Sequence, residues 1–389
     1  MPSSRDSLWT LIKARDKELK AVRDKLEHLT KVELPEKEGA LQFVSKRLGL
    51  VGKENSRLEE ENSRLESKIK NYLRFIFQKI VTGWLARKLI HYLRPGLGVL
   101  YQYPPRPTDT HYSKNTSIQP SVFPSIAIVI PSFQQGDFIK ETLESVLNQH
   151  YPKLRVHVQD GGSTDETVQI IKKYQSSTLS FESCKDAGQA AAVNVGFDKV
   201  SGEIMAWLNS DDVLMPGALN VVADFFNRHP DVDVVFANRV IINQDSMEVG
   251  IWVLPGHDGD VLSWVDFVPQ ETLFWRKSAW EKIGGKLDQN YQFAMDWDLI
   301  LRFRDAGANF SHIPYFLGGF RVHPKQKTQF ALEQGLIEMN SLRQRTLGFV
   351  PSQKQIRRAI FPYILKHVAW TFAYKLRRKI FRFLKNIEG

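Results

Sequence analysis

The chain contains 389 residues, 42% of them hydrophobic, which is enough for one large globular domain with appended segments. A single cysteine, Cys184, excludes an internal disulfide and a multi-cysteine metal site, as expected in a reducing compartment. Nearly all of the net charge of +10 lies from residue 352 onward, and the near-neutral remainder argues against a domain that binds nucleic acid.

The first 72 residues carry a heptad pattern that predicts a coiled coil. Apolar residues alternate at steps of three and four over residues 8–29, and again over 51–72. Asn55 and Asn62 fall at core positions, where asparagine lowers stability but can fix register and strand number. We therefore expect a homo-oligomer assembled through residues 1–72. The alternative is an amphipathic helix that packs on its own domain.

Residues 73–121 are predicted to form a basic amphipathic helix followed by a linker. Apolar side chains in residues 73–85 are interleaved with lysine and arginine. Pro95 and Gly96 are expected to end the helix, and the prolines between residues 104 and 107 indicate a linker.

Residues 122–330 alternate strand and helix patterns. Apolar runs at 126–130, 156–158 and 203–208 are each followed by a helical pattern. Such alternation predicts an α/β domain with a mainly parallel sheet and helices on both faces. Because open parallel sheets bind ligands beyond the carboxyl ends of their strands, the residues that follow each run are candidate site residues.

Each predicted strand end delivers small or polar residues to one edge of the sheet. The segments are PSFQQG after the first strand, DGGSTD after the second, KDAGQ after a short strand near 179–181, and NSDD after the strand at 203–208. Taken singly, Asp160, Asp186 and Asp212 are explained by tight turns or helix caps. Four such segments at one edge are harder to explain in that way and indicate a ligand site.

Seven blocks between residues 124 and 328 carry a family resemblance. In order they are IVIPSFQQGDFIKETLESVLNQHYP, VQDGGSTDETVQII, KDAGQAAAVNVGF, GEIMAWLNSDDVLMPGAL, PQETLFWRKSAWEKIGG, AMDWDLILRF and FRVHPKQKT. Together they resemble the family 2 glycosyltransferases of the GT-A fold, a Rossmann-like α/β architecture. The resemblance implies transfer of a sugar, with inversion, from a nucleotide-diphosphate donor, for which a UDP-sugar is our first expectation. It also implies a divalent metal, Mn²⁺ or Mg²⁺.

The resemblance assigns roles to particular positions. Ser132 and Asp160 would hold the base and ribose of the donor, and Arg321 would contact its phosphates. The full set of expected donor-binding residues is Pro131, Ser132, Phe133, Asp160, Gly162, Lys185, Asp186, Gln189, Asp211 and Arg321.

Asp211 and Asp212 match the metal-binding acid motif of the family. Adjacent carboxylates repel unless they are solvated or face a cation. A cation that bridges the phosphates of a departing nucleoside diphosphate would account for them, and without it the pair should be solvated and loosely held. His323 is a further expected metal or diphosphate ligand, although a lone histidine is more often structural.

Asp296 falls where the general base of the family falls, at the start of a predicted helix. A carboxylate there would take the proton of the acceptor hydroxyl as that oxygen attacks the anomeric carbon. Asp298 is the competing candidate, but its spacing also allows an ion pair with Arg302 one turn on. The residues expected on the acceptor side are Gln270, Glu271 and Trp297.

Two departures from the family pattern bear on base and sugar selectivity. Gln134 stands where the family commonly has asparagine, and three alanines follow Gln189 where a polar or acidic residue is common. Alternative functions are a nucleotidyltransferase, which would be expected to show a glycine-rich basic loop after the first strand, and a non-catalytic coiled-coil scaffold. A glycosidase also uses two carboxylates, but its chemistry does not need the nucleotide-like edge.

Residues 331–389 are predicted to contain basic amphipathic helices. An apolar residue recurs every four positions from Ile360 to Leu384, and the basic residues lie mostly off that stripe. Such a stripe most often packs on protein, but the cationic polar face favours peripheral contact with anionic lipid. Since the N-terminus lacks the apolar core of a signal peptide, we expect a cytoplasmic enzyme at the inner membrane face that extends a lipid-linked or surface glycan.

Overall fold

The computed structural model describes residues 97–108, 112, 117–326 and 332–388, with side chains described up to residue 378. The chain falls into two compact units, Met1–Lys88 and Leu89–Gly389, and the described residues belong to the second. The predicted coiled coil at 1–72 and the predicted basic helix that follows it lie outside the described residues.

Strands and helices alternate along the described chain. The first half contains β1 (Ile126–Ser132), α1 (Ile139–Leu147), β2 (Leu154–Asp160), α2 (Thr167–Tyr174), β3 (Leu179–Ser183), α3 (Gln189–Lys199), β4 (Ile204–Trp207), β5 (Val213–Leu214) and α4 (Ala218–Arg228). The second half contains β6 (Val234–Asn243), β7 (Glu248–Trp252), α5 (Gly259–Leu262), a 3₁₀ turn (Gln270–Thr272), β8 (Phe274–Arg276), α6 (Lys277–Lys282), α7 (Met295–Asp305), β9 (Phe310–Val322), α8 (Leu332–Leu347) and α9 (Gln353–Glu388).

The strands of the described residues form one mixed sheet. Its order is β3-β2-β1-β4-β8-β6-β9-β5, with β7 paired to β6. The first four strands in this order are parallel, so their carboxyl ends share one edge, as predicted. In the remainder β6 and β9 are also parallel to each other, but β8 runs antiparallel to β4 and β6, β7 to β6, and β5 to β9, so the sheet is mixed.

Strand β1 is buried along its whole length, as a central strand covered on both faces must be. Its side chains alternate between the faces, so Ala127 and Val129 belong to one apolar core while Ile128 belongs to the other. Helix α3 packs closely on β1 through Gly196. A Cβ at that position would clash with the side chain of Val129, so a larger residue would push the helix off the sheet.

Helix α9 packs one face on the domain. The Tyr363 hydroxyl donates to the carbonyl of Gly256 at 2.9 Å, and His367 Nδ1 lies 2.8 Å from the carbonyl of Val253. Nε2 of His367 accepts the N–H of Leu97 at 3.0 Å. Because a carbonyl only accepts and an amide N–H only donates, these partners fix a neutral imidazole protonated at Nδ1.

The docked face of α9 differs from the apolar stripe predicted there. Its fully buried members include Tyr363, His367 and Thr371, whereas Ile360 and Ile364 of the predicted stripe are half-buried. The docked residues also recur every four positions, but they lie one residue before Ile364 and the members of the stripe that follow it, which turns the docked face by about 100° around the helix. Within the described residues, no helix is both long and apolar enough to cross a bilayer.

Candidate active site

A cleft of about 750 Å³ opens at the carboxyl ends of the parallel strands. Its wall is formed by the strand ends, the 3₁₀ turn and the start of α7, and it contains most of the site residues predicted from the sequence. The predicted residues that line it are Pro131, Ser132, Phe133, Lys185, Asp186, Gln189, Asp211, Asp212, Gln270, Glu271, Asp296 and Trp297. The predicted residues outside its wall are Asp160, Gly162, Arg321 and His323.

Asp160 does not line the cleft, and its carboxylate accepts hydrogen bonds from its own loop and from β3. Oδ2 accepts the N–H groups of Gly162 at 3.1 Å and Ser163 at 2.8 Å. The same oxygen accepts the hydroxyl of Ser183 at 2.6 Å. Gly162 takes φ +82°, a left-handed conformation that favours glycine. In this structure Asp160 therefore shapes the turn after β2 and does not face the cleft, where a donor contact was expected.

Three buried polar atoms on the cleft wall have no hydrogen-bond partner among the described residues: Ser132 Oγ, Trp207 Nε1 and Gln270 Oε1. The amide of Gln270 is held in place, since its Nε2 donates to the carbonyl of Trp207 at 2.9 Å. Because buried polar groups are rarely left unpaired, these atoms indicate a wall that is completed by a polar ligand or by water.

Asp212 points into the protein. It is 1% exposed, and its carboxylate accepts the N–H of Arg321 at 2.9 Å and lies 3.3 Å from Asn209 Nδ2. Burial, followed by the neighbouring charges of Asp211 and Glu271, raises the pKa of Asp212 well above its usual range. The expectation that both acids are solvated is therefore wrong for Asp212, because the end of β9 covers it.

Asp211 is the more exposed acid of the pair. Its side chain is 19% exposed, and its Oδ2 lies 3.1 Å from Nε2 of the buried His323. Among the described residues, no group of three or more His, Cys, Asp or Glu side chains is arranged to hold a metal by itself. Mg²⁺ usually takes only one or two carboxylates and completes its shell with phosphate oxygens and water, so Asp211 with His323 fits a cation shared with a donor diphosphate.

Arg321 donates hydrogen bonds to the turn that contains Asp211 and Asp212. Its side chain is fully buried, with Nε donating to the carbonyl of Asp211 at 2.8 Å and Nη1 to the hydroxyl of Ser246 at 2.8 Å. Nη2 pairs with Glu141 at 2.6 Å. The guanidinium is thus committed to protein partners, which corrects the expectation that it reaches the donor phosphates.

The structure separates the two candidate bases on α7. Asp296 is half-buried and lines the cleft. Asp298 is fully buried, with one oxygen 2.8 Å from Arg302 Nε and the other 2.6 Å from Arg345 Nη1. The predicted pair of Asp298 with Arg302 is therefore present, and the geometry favours Asp296 as the residue that meets an acceptor.

Glu338 of α8 holds the backbone of the three residues that precede α7. Its carboxylate accepts the backbone N–H groups of Gln292, Phe293 and Ala294 at 3.0, 2.7 and 2.9 Å. Burial acts to raise the pKa of Glu338, but these hydrogen bonds outweigh it and lower the pKa. The sequence offered no sign of this contact, since its partners lie 44 to 46 positions away.

Glu271, expected on the acceptor side, lies at the cleft in a buried ion pair with Arg239. Arg239 binds it in a bidentate manner, with Nε at 2.8 Å and Nη2 at 2.5 Å from its two oxygens. The guanidinium lies over Trp252 and Phe320, 4.5 Å from each ring centroid. The two charges neutralise each other, so this part of the cleft presents mainly aromatic surface.

Asp266 is a cleft residue that the sequence did not indicate. Its side chain is open to the cleft, but the surrounding walls still desolvate it. This desolvation is the main cause that raises the pKa of Asp266 well above its usual range, and the negative charge of Asp296 adds to it. Its loop follows no predicted strand end and belongs to none of the seven blocks, so nothing in the sequence pattern marked it.

Residues 127–293 match the family model described as Glycosyl transferase family 2. An uncharacterised glycosyltransferase of Rickettsia typhi is 28% identical over 222 residues, which cover 54% of this chain and 68% of that protein. Chondroitin synthase of Escherichia coli is 27% identical over 208 residues, which cover 52% of this chain and 30% of that enzyme.

Among solved structures, S. aureus TarS 1–349 in complex with UDP-GlcNAc is similar over 63% of this chain and 73% of that chain, at 17% identity and a TM-score of 0.49. The stretch matched by the family model runs from β1 to residue 293. It thus includes the four parallel strand ends and the acidic turn, and it stops just before α7 and Asp296.

Proposed function

Because residues 127–293 form a family 2 glycosyltransferase domain, we propose that the chain transfers a sugar from a nucleotide-diphosphate donor to an acceptor hydroxyl, with inversion. One observation carries the proposal: a single cleft contains the strand-end residues expected to hold a nucleotide, the acid Asp211 and the candidate base Asp296. A non-catalytic scaffold has no need of a carboxylate beside a nucleotide site.

In the proposed reaction, the acceptor oxygen attacks the anomeric carbon from the face opposite the diphosphate. The new bond forms between acceptor oxygen and sugar carbon while the bond from that carbon to the diphosphate oxygen breaks. Asp296 takes the acceptor proton, which makes the oxygen a better nucleophile as the bond forms. The electron pair of the broken bond leaves with the nucleoside diphosphate.

A divalent cation, Mn²⁺ or Mg²⁺, would neutralise charge on the departing diphosphate when bound. Asp211 is the protein ligand that the geometry supports, with His323 beside it. Arg321 donates hydrogen bonds to both Asp211 and Asp212 and so holds the turn that presents Asp211. We therefore assign Asp212 and Arg321 to positioning within the proposed site.

The donor nucleotide is proposed to lie along the ends of β1 to β4. Phe133 is 59% exposed at the cleft and offers a face on which a base can stack. Lys185 is an exposed cation on the same wall, suited to phosphate, and Ser132 Oγ is a buried polar atom without a partner among the described residues. A UDP-sugar is the donor to be tested first.

The acceptor is proposed to be a lipid-linked or surface glycan, handled by a cytoplasmic enzyme at the inner membrane face. Trp252 and Phe320 give the cleft large apolar ring surfaces, which suit the apolar faces of a sugar. The resemblance to E. coli chondroitin synthase over about half of the chain also supports a glycan. We also propose that the chain forms homo-oligomers through residues 1–72.

The test is turnover of a panel of nucleotide sugars by the purified full chain, with and without Mn²⁺ or Mg²⁺. We expect metal-dependent hydrolysis or transfer with one donor class, lost in Asp296→Asn. The matched control is Asp305→Asn, which changes an exposed carboxylate at the other end of α7 and should leave turnover intact. Failure to bind or turn over any donor would refute the proposal and favour the scaffold.

A further inference from the structure

The side of α9 that faces away from the domain carries exposed apolar residues. Residues two apart on a helix point about 200° from each other, so Phe361 and Leu365 lie opposite the docked Tyr363 that separates them. We call this side the outer face; its members, exposed to 57%, 54% and 46%, are Phe361, Leu365 and Leu376. Large apolar side chains exposed together along one helix side indicate an interaction surface.

Basic side chains border the outer face. Residues 352–378 contain no aspartate or glutamate. Arg357 and Arg358 precede Phe361 by about one turn and are exposed, as are Lys366 and Arg377 further along the helix. The surface therefore combines apolar side chains with a concentrated positive charge.

We infer that the outer face of α9 docks the protein on an anionic lipid surface, with the helix lying along the membrane. Apolar side chains would enter the headgroup zone while the flanking cations meet lipid phosphates, which is how basic amphipathic helices bind membranes. No described residue of α9 lines the cleft, so this inference is separate from the proposed chemistry, and either can fail without the other.

Charge complementarity favours lipid over a second copy of the chain. A two-fold contact between two outer faces would bring like cations together, because such an interface uses the same patch on both subunits. An anionic bilayer instead offers negatively charged headgroups directly above an apolar interior. Each cation near such a surface strengthens binding by about fivefold, and an inserted ring or aliphatic side chain adds about tenfold.

The experiment is flotation of the full chain with phosphatidylglycerol-containing vesicles and with neutral phosphatidylcholine vesicles, at low and high salt. We expect binding to the anionic vesicles alone, weakened by salt. Phe361→Ser with Leu365→Ser should weaken binding by at least about tenfold, and Arg357→Gln with Arg358→Gln by about 25-fold. The control is Val122→Ser, which removes an apolar side chain that is 60% exposed elsewhere on the domain.

All the substituted positions are exposed, so the variants should fold, and donor turnover should match that of the unmodified protein. Equal binding to both vesicle types, or no binding to either, would overturn the inference. It is also overturned if the serine and glutamine variants bind as tightly as the control. A change in oligomer size in the serine variant, without a change in lipid binding, would identify the outer face as a contact between protein chains.

Discussion

His323 Nε2 lies 3.1 Å from Oδ2 of Asp211, although 112 positions separate the two residues in the sequence. His323 follows the end of β9, and Asp211 lies in the turn after β4. The two are held together because β5, directly after that turn, pairs with β9 through Val213 and Gly319. The contact thus links the last strand of the domain to the turn proposed to hold the cation.

The two acids of this turn should respond differently to substitution. Asp211→Ala should abolish metal-dependent nucleotide binding in calorimetry while thermal unfolding changes little, because the side chain is partly exposed. Asp212→Ala should lower the free energy of unfolding by about 1–3 kcal/mol, because it leaves the buried N–H of Arg321 without its acceptor. Metal-dependent affinity that survives Asp211→Ala would disprove the assignment of the cation ligand.

Substitutions of the two acids of α7, Asp296 and Asp298, should also have different effects. Asp296→Asn should lower turnover by about two to four orders of magnitude and keep donor affinity, as expected for loss of a general base. Asp298→Asn should instead lower the free energy of unfolding by about 1–3 kcal/mol, because it weakens buried pairs with two arginines. A larger kinetic loss in Asp298→Asn than in Asp296→Asn would reverse the assignment.

The location of the cleft was predictable from sequence, because parallel strands share one carboxyl edge and the segments that follow them meet there. The pair of Asp298 with Arg302 was also predictable, since a spacing of four places both on one helix face. Side-chain direction was not predictable. Whether Asp160 faces its own loop or the cleft depends on how that loop folds over β3, which no local pattern records.

The residues that the sequence missed share one property, which is dependence on contacts between distant segments. Arg239 pairs with Glu271 across 32 positions, and Arg345 with Asp298 across 47. Such pairs arise when the chain folds back, so their members look like ordinary surface charges in the sequence. The docked face of α9 was displaced for the same reason, because it is set by hydrogen bonds of Tyr363 and His367 to carbonyls more than 100 positions away.

Glu338 should influence turnover through the position of α7. Glu338→Ala removes the acceptor of three backbone N–H groups just before Asp296, so we expect turnover to fall about tenfold while donor affinity stays unchanged. The free energy of unfolding should fall by about 1–3 kcal/mol. Glu333→Ala, in the exposed first turn of α8, is the control and should change neither quantity. Loss of donor affinity with unchanged turnover would contradict this role.

The heptads in residues 1–72 predict that assembly and catalysis can be separated. A chain without residues 1–72 should be monomeric in light scattering, whereas the full chain should be oligomeric at micromolar concentration. Turnover on a soluble acceptor should stay largely intact, because the cleft is built from residues 131–339. A full chain that is monomeric under these conditions would refute the coiled-coil prediction.

Attachment of α9 should weaken in mild acid because of His367. Burial is the main cause that lowers the pKa of this imidazole below its ordinary 6.5, and its neutral form is the one that accepts the N–H of Leu97. Since the unfolded chain takes up the proton more readily, the stabilisation is present above about pH 6.5 and is lost as the pH falls from there towards the folded-state pKa. The slope is at most about 1.4 kcal/mol per pH unit for one group.

The measurement is urea unfolding, with hydrogen exchange of α9, between about pH 7.5 and 5.5 for the unmodified protein and for His367→Gln. The unmodified protein should lose more stability on acidification than the variant does, and α9 should be where exchange accelerates. His257 and His312 also have pKa values lowered by burial, to about 4 for His312, but they are present in both proteins and cancel in the comparison. Equal pH slopes in the two proteins would show that His367 does not control how α9 is attached.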